Sequence, residues 1–156
     1  MVTNVNILKA INRELAQNFR DLEPKIYIDE NNKDITKPTF FVQVEEITST
    51  SRLQYTEDTV KVYITYTNKE LTQLEKLEVK QKLKECFDLD LELKDDEKNV
   101  LIIDKRDFSS TEDILLCTLT FYFLNSKDKQ KDYDRLGSAN MEHLEIDSNT
   151  IKYEFN

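Results

Sequence analysis

Two hydrophobic periodicities alternate along this chain, and the switches between them mark its elements. Ile7, Leu8, Ile11, Leu15 and Phe19 recur at helical spacing on one arc, while Lys9, Arg13, Gln17 and Arg20 fall elsewhere. This predicts an amphipathic helix that Thr3 or Asn4 can cap and that ends before Pro24. Ile26, Tyr27 and Ile28 predict a short strand. A polar turn from Asp29 to Lys37 leads to Pro38, which can open a strand but not sit centrally in one. The period then becomes two. Phe40, Val42 and Val44 share one face opposite Gln43 and Glu45, and Val60, Val62, Ile64 and Tyr66 share another opposite Thr59, Lys61, Tyr63 and Thr65. Between these strands, residues 46–58 are polar and rich in Ser and Thr. That stretch is too long for a tight turn and predicts an extended hairpin.

The helical period returns from Lys69 to Phe87, where Val79, Leu83, Cys86 and Phe87 form one arc. Leu74 and Leu77 fall off it, which suits either a broad buried face or a contact between subunits. Carboxylates and leucines alternate from Asp88 to Lys94, as in a strand with an acidic outer face. Val100 to Ile103 predicts a short buried strand, reached through the acidic turn Asp95, Asp96, Glu97. The strongest strand is Ile114 to Leu124, with Leu115, Cys117, Leu119, Phe121 and Phe123 on one face. Residues 126–140 are charged, nearly free of apolar groups, and hold the one glycine, Gly137; they read as a linker. Beyond it, Leu144, Ile146, Ile151, Tyr153 and Phe155 flank a polar turn and suggest a small hairpin, or one strand plus a tail.

The fold class that follows is α+β: a mostly antiparallel sheet with two amphipathic helices packed on one face, an extended hairpin and a C-terminal arm. Residues 1–125 form the core domain, 126–140 the charged linker and 141–156 the strand or hairpin arm. Phe40, Val42, Val44, Val60, Val62, Ile64, Leu119, Phe121 and Phe123 are expected to pack against both helices, with Ile11 and Leu83 turned inward. An isolated hairpin is marginal in water, so the arm has to pair with some sheet edge, in its own subunit, a neighbour or a partner.

Composition removes several function classes. At 156 residues the chain can bury a core without disulfides or metal. No apolar run approaches the roughly 20 residues that span a bilayer, and the N-terminus lacks the basic stretch of a signal peptide, so no membrane partner is expected. The net charge of −9 argues against a sequence-reading nucleic-acid binder, since phosphate contacts need a basic surface. Cys86 and Cys117 lie far apart in apolar contexts and read as buried free thiols.

Candidate chemistry is sparse. His143 is the one histidine, and neither cysteine has the surroundings of a nucleophile. One glycine cannot build a phosphate-cradling loop. Asp88, Asp90, Glu92 and the following Asp95, Asp96 and Glu97 lie along a line and not around a bend, so a solvated face suits them better than a Ca²⁺ site. The chain reads as a non-enzyme without cofactor or metal.

The ordering of these elements resembles a known family. The helix ILKAINRELAQNF, the strand IYIDEN, KPTFFVQV, DTVKVYITY, the second helix, EDILLCTLTFYF and the closing MEHLEID resemble the tail terminator proteins of tailed phages and prophages, over roughly residues 5–147. The resemblance implies a structural protein that forms a ring, usually of six, on the head-proximal end of the tail tube. Such a ring stops tube growth and presents a surface to the head connector. The implied partners are other copies of itself, the tube protein, and the sheath or connector; the implied place is the virion tail or a tail-like particle, after synthesis in the bacterial cytoplasm. Another neck or tail adaptor, or an unrelated small binding domain, are the alternatives. Leu74 and Leu77 become candidates for a subunit boundary, and Leu144, Ile146, Ile151, Tyr153 and Phe155 for a docking arm.

Overall fold

A computed structural model describes residues 1–28 and 35–127. Helix α1 covers Asn4–Asn18, and its start is capped by Thr3, whose side-chain oxygen accepts from the Asn6 amide at 3.1 Å. Ile7, Ala10, Ile11 and Leu15 are its buried stripe. A single 3-10 turn, Arg20–Leu22, follows, and Glu23 then takes the left-handed conformation at φ 47°. Glycine usually fills such a position because a Cβ is crowded there. The chain next enters strand β1, Lys25–Tyr27, and later strand β2, Thr39–Ser51. These two run parallel, with Ile26 beside Phe40. Strand β3, Tyr55–Thr67, returns beside β2 after a short turn. Helix α2, Gln73–Cys86, precedes the short strand β4, Asp90–Glu92, then β5, Val100–Ser110, and β6, Leu115–Ser126.

The strands form one six-stranded sheet in the order β1-β2-β3-β6-β5-β4. The β4–β5 and β5–β6 pairs are antiparallel. Alternation decides which residues face the helices: Phe40 and Val42 on β2, Val60 to Tyr66 at even positions on β3, and Leu115 to Phe123 at odd positions on β6. All join Ile11 and Leu83 in a single buried core, with Val44 packed at its margin. The expected core is therefore the observed one, and the fold is α+β with both helices on one face. At its centre Phe40 lies between Phe19 and Tyr66, with ring centroids 4.9 Å apart in both pairs.

The residues fall into two compact units, the larger being Met1–Ser49 with Asp58–Phe123. The described part of the second is Thr50–Glu57 with residues 124–127. It contains the turn of the extended hairpin, where the Arg52 amide donates to the Tyr55 carbonyl at 2.8 Å and the Arg52 guanidinium meets Glu57 at 2.8 Å. The Lys127 amide donates to the Gln54 carbonyl, and its ammonium reaches Ser51 and the Arg52 carbonyl.

Three expectations change. Val100–Ile103 is not a short buried strand but the start of an 11-residue one, with Leu101 buried and Val100 and Ile102 exposed. A bulge at Asp104 shifts its register, so Ile103 pairs with Phe121 but Lys105 with Thr120. That extra residue inverts the alternation and turns Arg106 and Phe108 toward the core side, which hides the strand from a period-two reading. The acidic strand shrinks to Asp90–Glu92. The second helix starts at Gln73, because Thr72 caps it, and not at Lys69. The arm residues Leu144, Ile146, Ile151, Tyr153 and Phe155, with His143, lie outside the described residues.

Candidate assembly surface

Helix α2 carries the feature that the sequence singled out. Thr72 accepts from the Glu75 amide at 3.1 Å and fixes the first turn. Glu75 does not reach back to complete a reciprocal cap. Its carboxylate instead accepts from the buried Tyr66 hydroxyl at 2.6 Å and from the Asn68 amide at 2.8 Å. This pins the helix to β3 and satisfies a polar group that would otherwise be buried alone. Burial, and secondarily the Glu75 bond, hold the Tyr66 hydroxyl above the usual phenol range.

The other end of α2 is held by β5. Arg106 donates through one nitrogen to the Lys84 carbonyl at 3.0 Å and the Phe87 carbonyl at 2.7 Å. A cation at a helix C-terminus answers both the unpaired carbonyls and the dipole. The sequence reading missed this residue because it ended the strand at Ile103; the only signal was the inverted alternation of Arg106 and Phe108.

With both ends fixed and Val79 and Leu83 buried, the rotation of α2 is set. Leu74 and Leu77, three residues apart, share the opposite side of the helix. They are 67% and 53% exposed, so the broad-buried-face reading fails for these two leucines. Leu77 also forms one wall of a groove of about 530 Å³ with Phe19, Leu22 and Val79. Carboxylates of Asp21, Glu75, Glu78 and Glu85 border that groove. One cation crosses it: the Lys82 ammonium lies 3.0 Å from Asp21 and 5.2 Å from the Phe19 ring centre. The hydrogen bond from Lys82 holds the exposed Asp21 carboxyl below its ordinary value. The groove is thus an apolar strip with an acidic border.

Among the described residues, no group of three or more His, Cys, Asp or Glu is placed to hold a metal ion. Asp95 of the acidic turn accepts from the Asn99 amide and side chain, each at 2.8 Å, and these bonds lower its pKa. Asp90 and Glu92 flank the buried Leu91 and face solvent. No described helix is long and apolar enough to cross a membrane. Cys117 is buried and Cys86 partly so, and burial pushes both thiols up to about 12. A thiolate is the reactive form. Neither cysteine should therefore be alkylated by iodoacetamide at pH 8 within the time that labels a free thiol, whereas both should label fully in denaturant. Mass spectrometry reads the difference, and rapid native labelling of Cys117 would contradict this packing.

Residues 6–133 match the family model described as phage tail terminator protein. Comparison with curated proteins finds no match.

Proposed function

The chain belongs to the phage tail terminator family, and from that membership we propose that it ends the growth of a tail tube and joins the finished tail to a head. It works by assembly, with no catalytic step. Copies close into a ring, of six in this reading, on the head-proximal end of the tube. The partners are the tube protein, the head-tail connector and, in a contractile tail, the sheath; the protein resides in the tail of a phage, prophage particle or tail-like bacteriocin. The carrying observation is the family match across most of the chain.

Three features support the reading. The exposed Leu74 and Leu77 supply a subunit boundary, since contact surfaces gain by covering such a strip. The net charge of −9 on each copy suits a ring around a channel that DNA must pass without adhering. Residues 126–156 act as an arm, with Leu144, Ile146, Ile151, Tyr153 and Phe155 as its apolar anchors on a neighbour.

The test is removal and return. Particles assembled without this protein should carry tubes of uncontrolled length that fail to join heads, and adding the purified protein during assembly should restore both. Electron microscopy reads tube length and head attachment. Normal, head-joined tails in the absence of the protein would overturn the proposal.

A further inference from the structure

Among the described residues, the sheet leaves one long edge without a strand. Strand β1 covers β2 only at Thr39, Phe40 and Phe41, yet β2 runs on to Ser51. Its other side is taken by β3. Among the described residues, no strand therefore pairs with the β1-side edge of β2 from Val42 onward. An unpaired row of amides and carbonyls is a template for an added strand.

A groove of about 440 Å³ lies along that same edge, with Val5, Leu8, Ile28 and Val44 as its apolar lining. Val5 and Ile28 are 58% and 57% exposed. Backbone pairing supplies affinity in strand addition, and pockets for alternate side chains supply selectivity. This edge has both halves of such a site.

Charge narrows the occupant. Glu45 and Glu46 lie on the open stretch. Two copies pairing β2 to β2 around a twofold axis would bring these carboxylates together, a like-charge arrangement that strand pairs avoid. The chain itself holds a better candidate in Ile151-Lys152-Tyr153-Glu154-Phe155, where apolar residues alternate with one lysine and one glutamate. Laid antiparallel with Tyr153 beside Val44, it sets Lys152 beside Glu45 and Glu154 beside Gln43. Ile151, Tyr153 and Phe155 then share one face, the face that the groove's apolar lining serves. Fully extended, the 23 residues from 128 to 150 span up to about 76 Å, several times the radius of gyration of about 15 Å expected for a domain of this size.

We infer that residues 151–155 of one copy add as an antiparallel strand to the open edge of β2 in the next copy. The inference rests on the arm reading above and gives that arm its receptor.

The experiment uses particles from cells that supply two variants together, one with Gln43→Cys and the other with Glu154→Cys. Mild oxidation should give a disulfide-linked dimer at least about tenfold above a control pairing Glu154→Cys with Lys105→Cys, because adjacent strands give the thiols a high effective concentration. Dimer yield no higher than the control overturns the inference. So does a disulfide that forms only when both cysteines are on one chain, which would place the strand on its own copy. A chain ending at Ser126 separates the two readings. If it no longer caps tubes yet no specific dimer forms, the arm stands and this receptor falls; if it still caps tubes, the arm reading itself falls.

Discussion

Replacing Phe40 with alanine should destabilise the protein by about 3–5 kcal/mol, the range for deleting a fully buried aromatic side chain. Phe40 has no solvent exposure and stands between Phe19 from the end of α1 and Tyr66 from β3. The deletion opens a cavity where α1, β2 and β3 meet, and it removes two ring pairs worth about 0.5–1.5 kcal/mol each beyond their area. The neighbours cannot collapse freely into the space. Tyr66 is tethered through its hydroxyl to Glu75, and Phe19 is fixed where α1 gives way to the 3-10 turn. A domain of this size should lose roughly 6–20 °C in Tm, at about 2–4 °C per kcal/mol. Calorimetry or denaturant titration of the purified chain checks the value. A loss below about 1 kcal/mol would mean that Phe40 is not at the centre of the core.

Phe40 also shows what the sequence reveals well. Its inward direction follows from alternation with Val42 and Val44, and the same alternation marks most of the sheet side of the core. Legibility failed where a local event broke the period. The bulge at Asp104 inverts the pattern of β5, so the strand reads as ending at Ile103 and Arg106, which closes the C-terminus of α2, goes unread. Pairing direction was illegible for another reason: hydrophobic period does not encode whether neighbouring strands run parallel, as β1 and β2 do, or antiparallel. The candidate surface was half legible. The off-arc positions of Leu74 and Leu77 could be read from spacing alone. The groove beside Leu77 could not, because it needs Phe19 and Leu22 to arrive from the far end of α1.

Substituting Leu74 and Leu77 together with lysine should leave the subunit folded and abolish the ring. Both side chains are largely solvent-exposed and Lys matches Leu closely in helix propensity, so the change in subunit stability should stay within about 0.5 kcal/mol. The cost falls on association. Fully covering an exposed leucine contributes about 1.5–3 kcal/mol; with Leu74 67% and Leu77 53% exposed, losing both removes about 2–4 kcal/mol from each boundary, or roughly one to three orders of magnitude in affinity. Burying two ammonium groups in their place adds to that cost. A ring repeats its boundary at every copy, and the losses accumulate around it. Leu89→Lys is the matched control, since Leu89 is equally exposed but lies just ahead of β4, away from the groove. Mass measurement of the complex on tail tubes, together with Tm of the free subunit, separates folding from assembly. The double variant should show an unchanged Tm and no ring, and the control should keep both. Intact rings from the double variant would remove Leu74 and Leu77 from the subunit boundary.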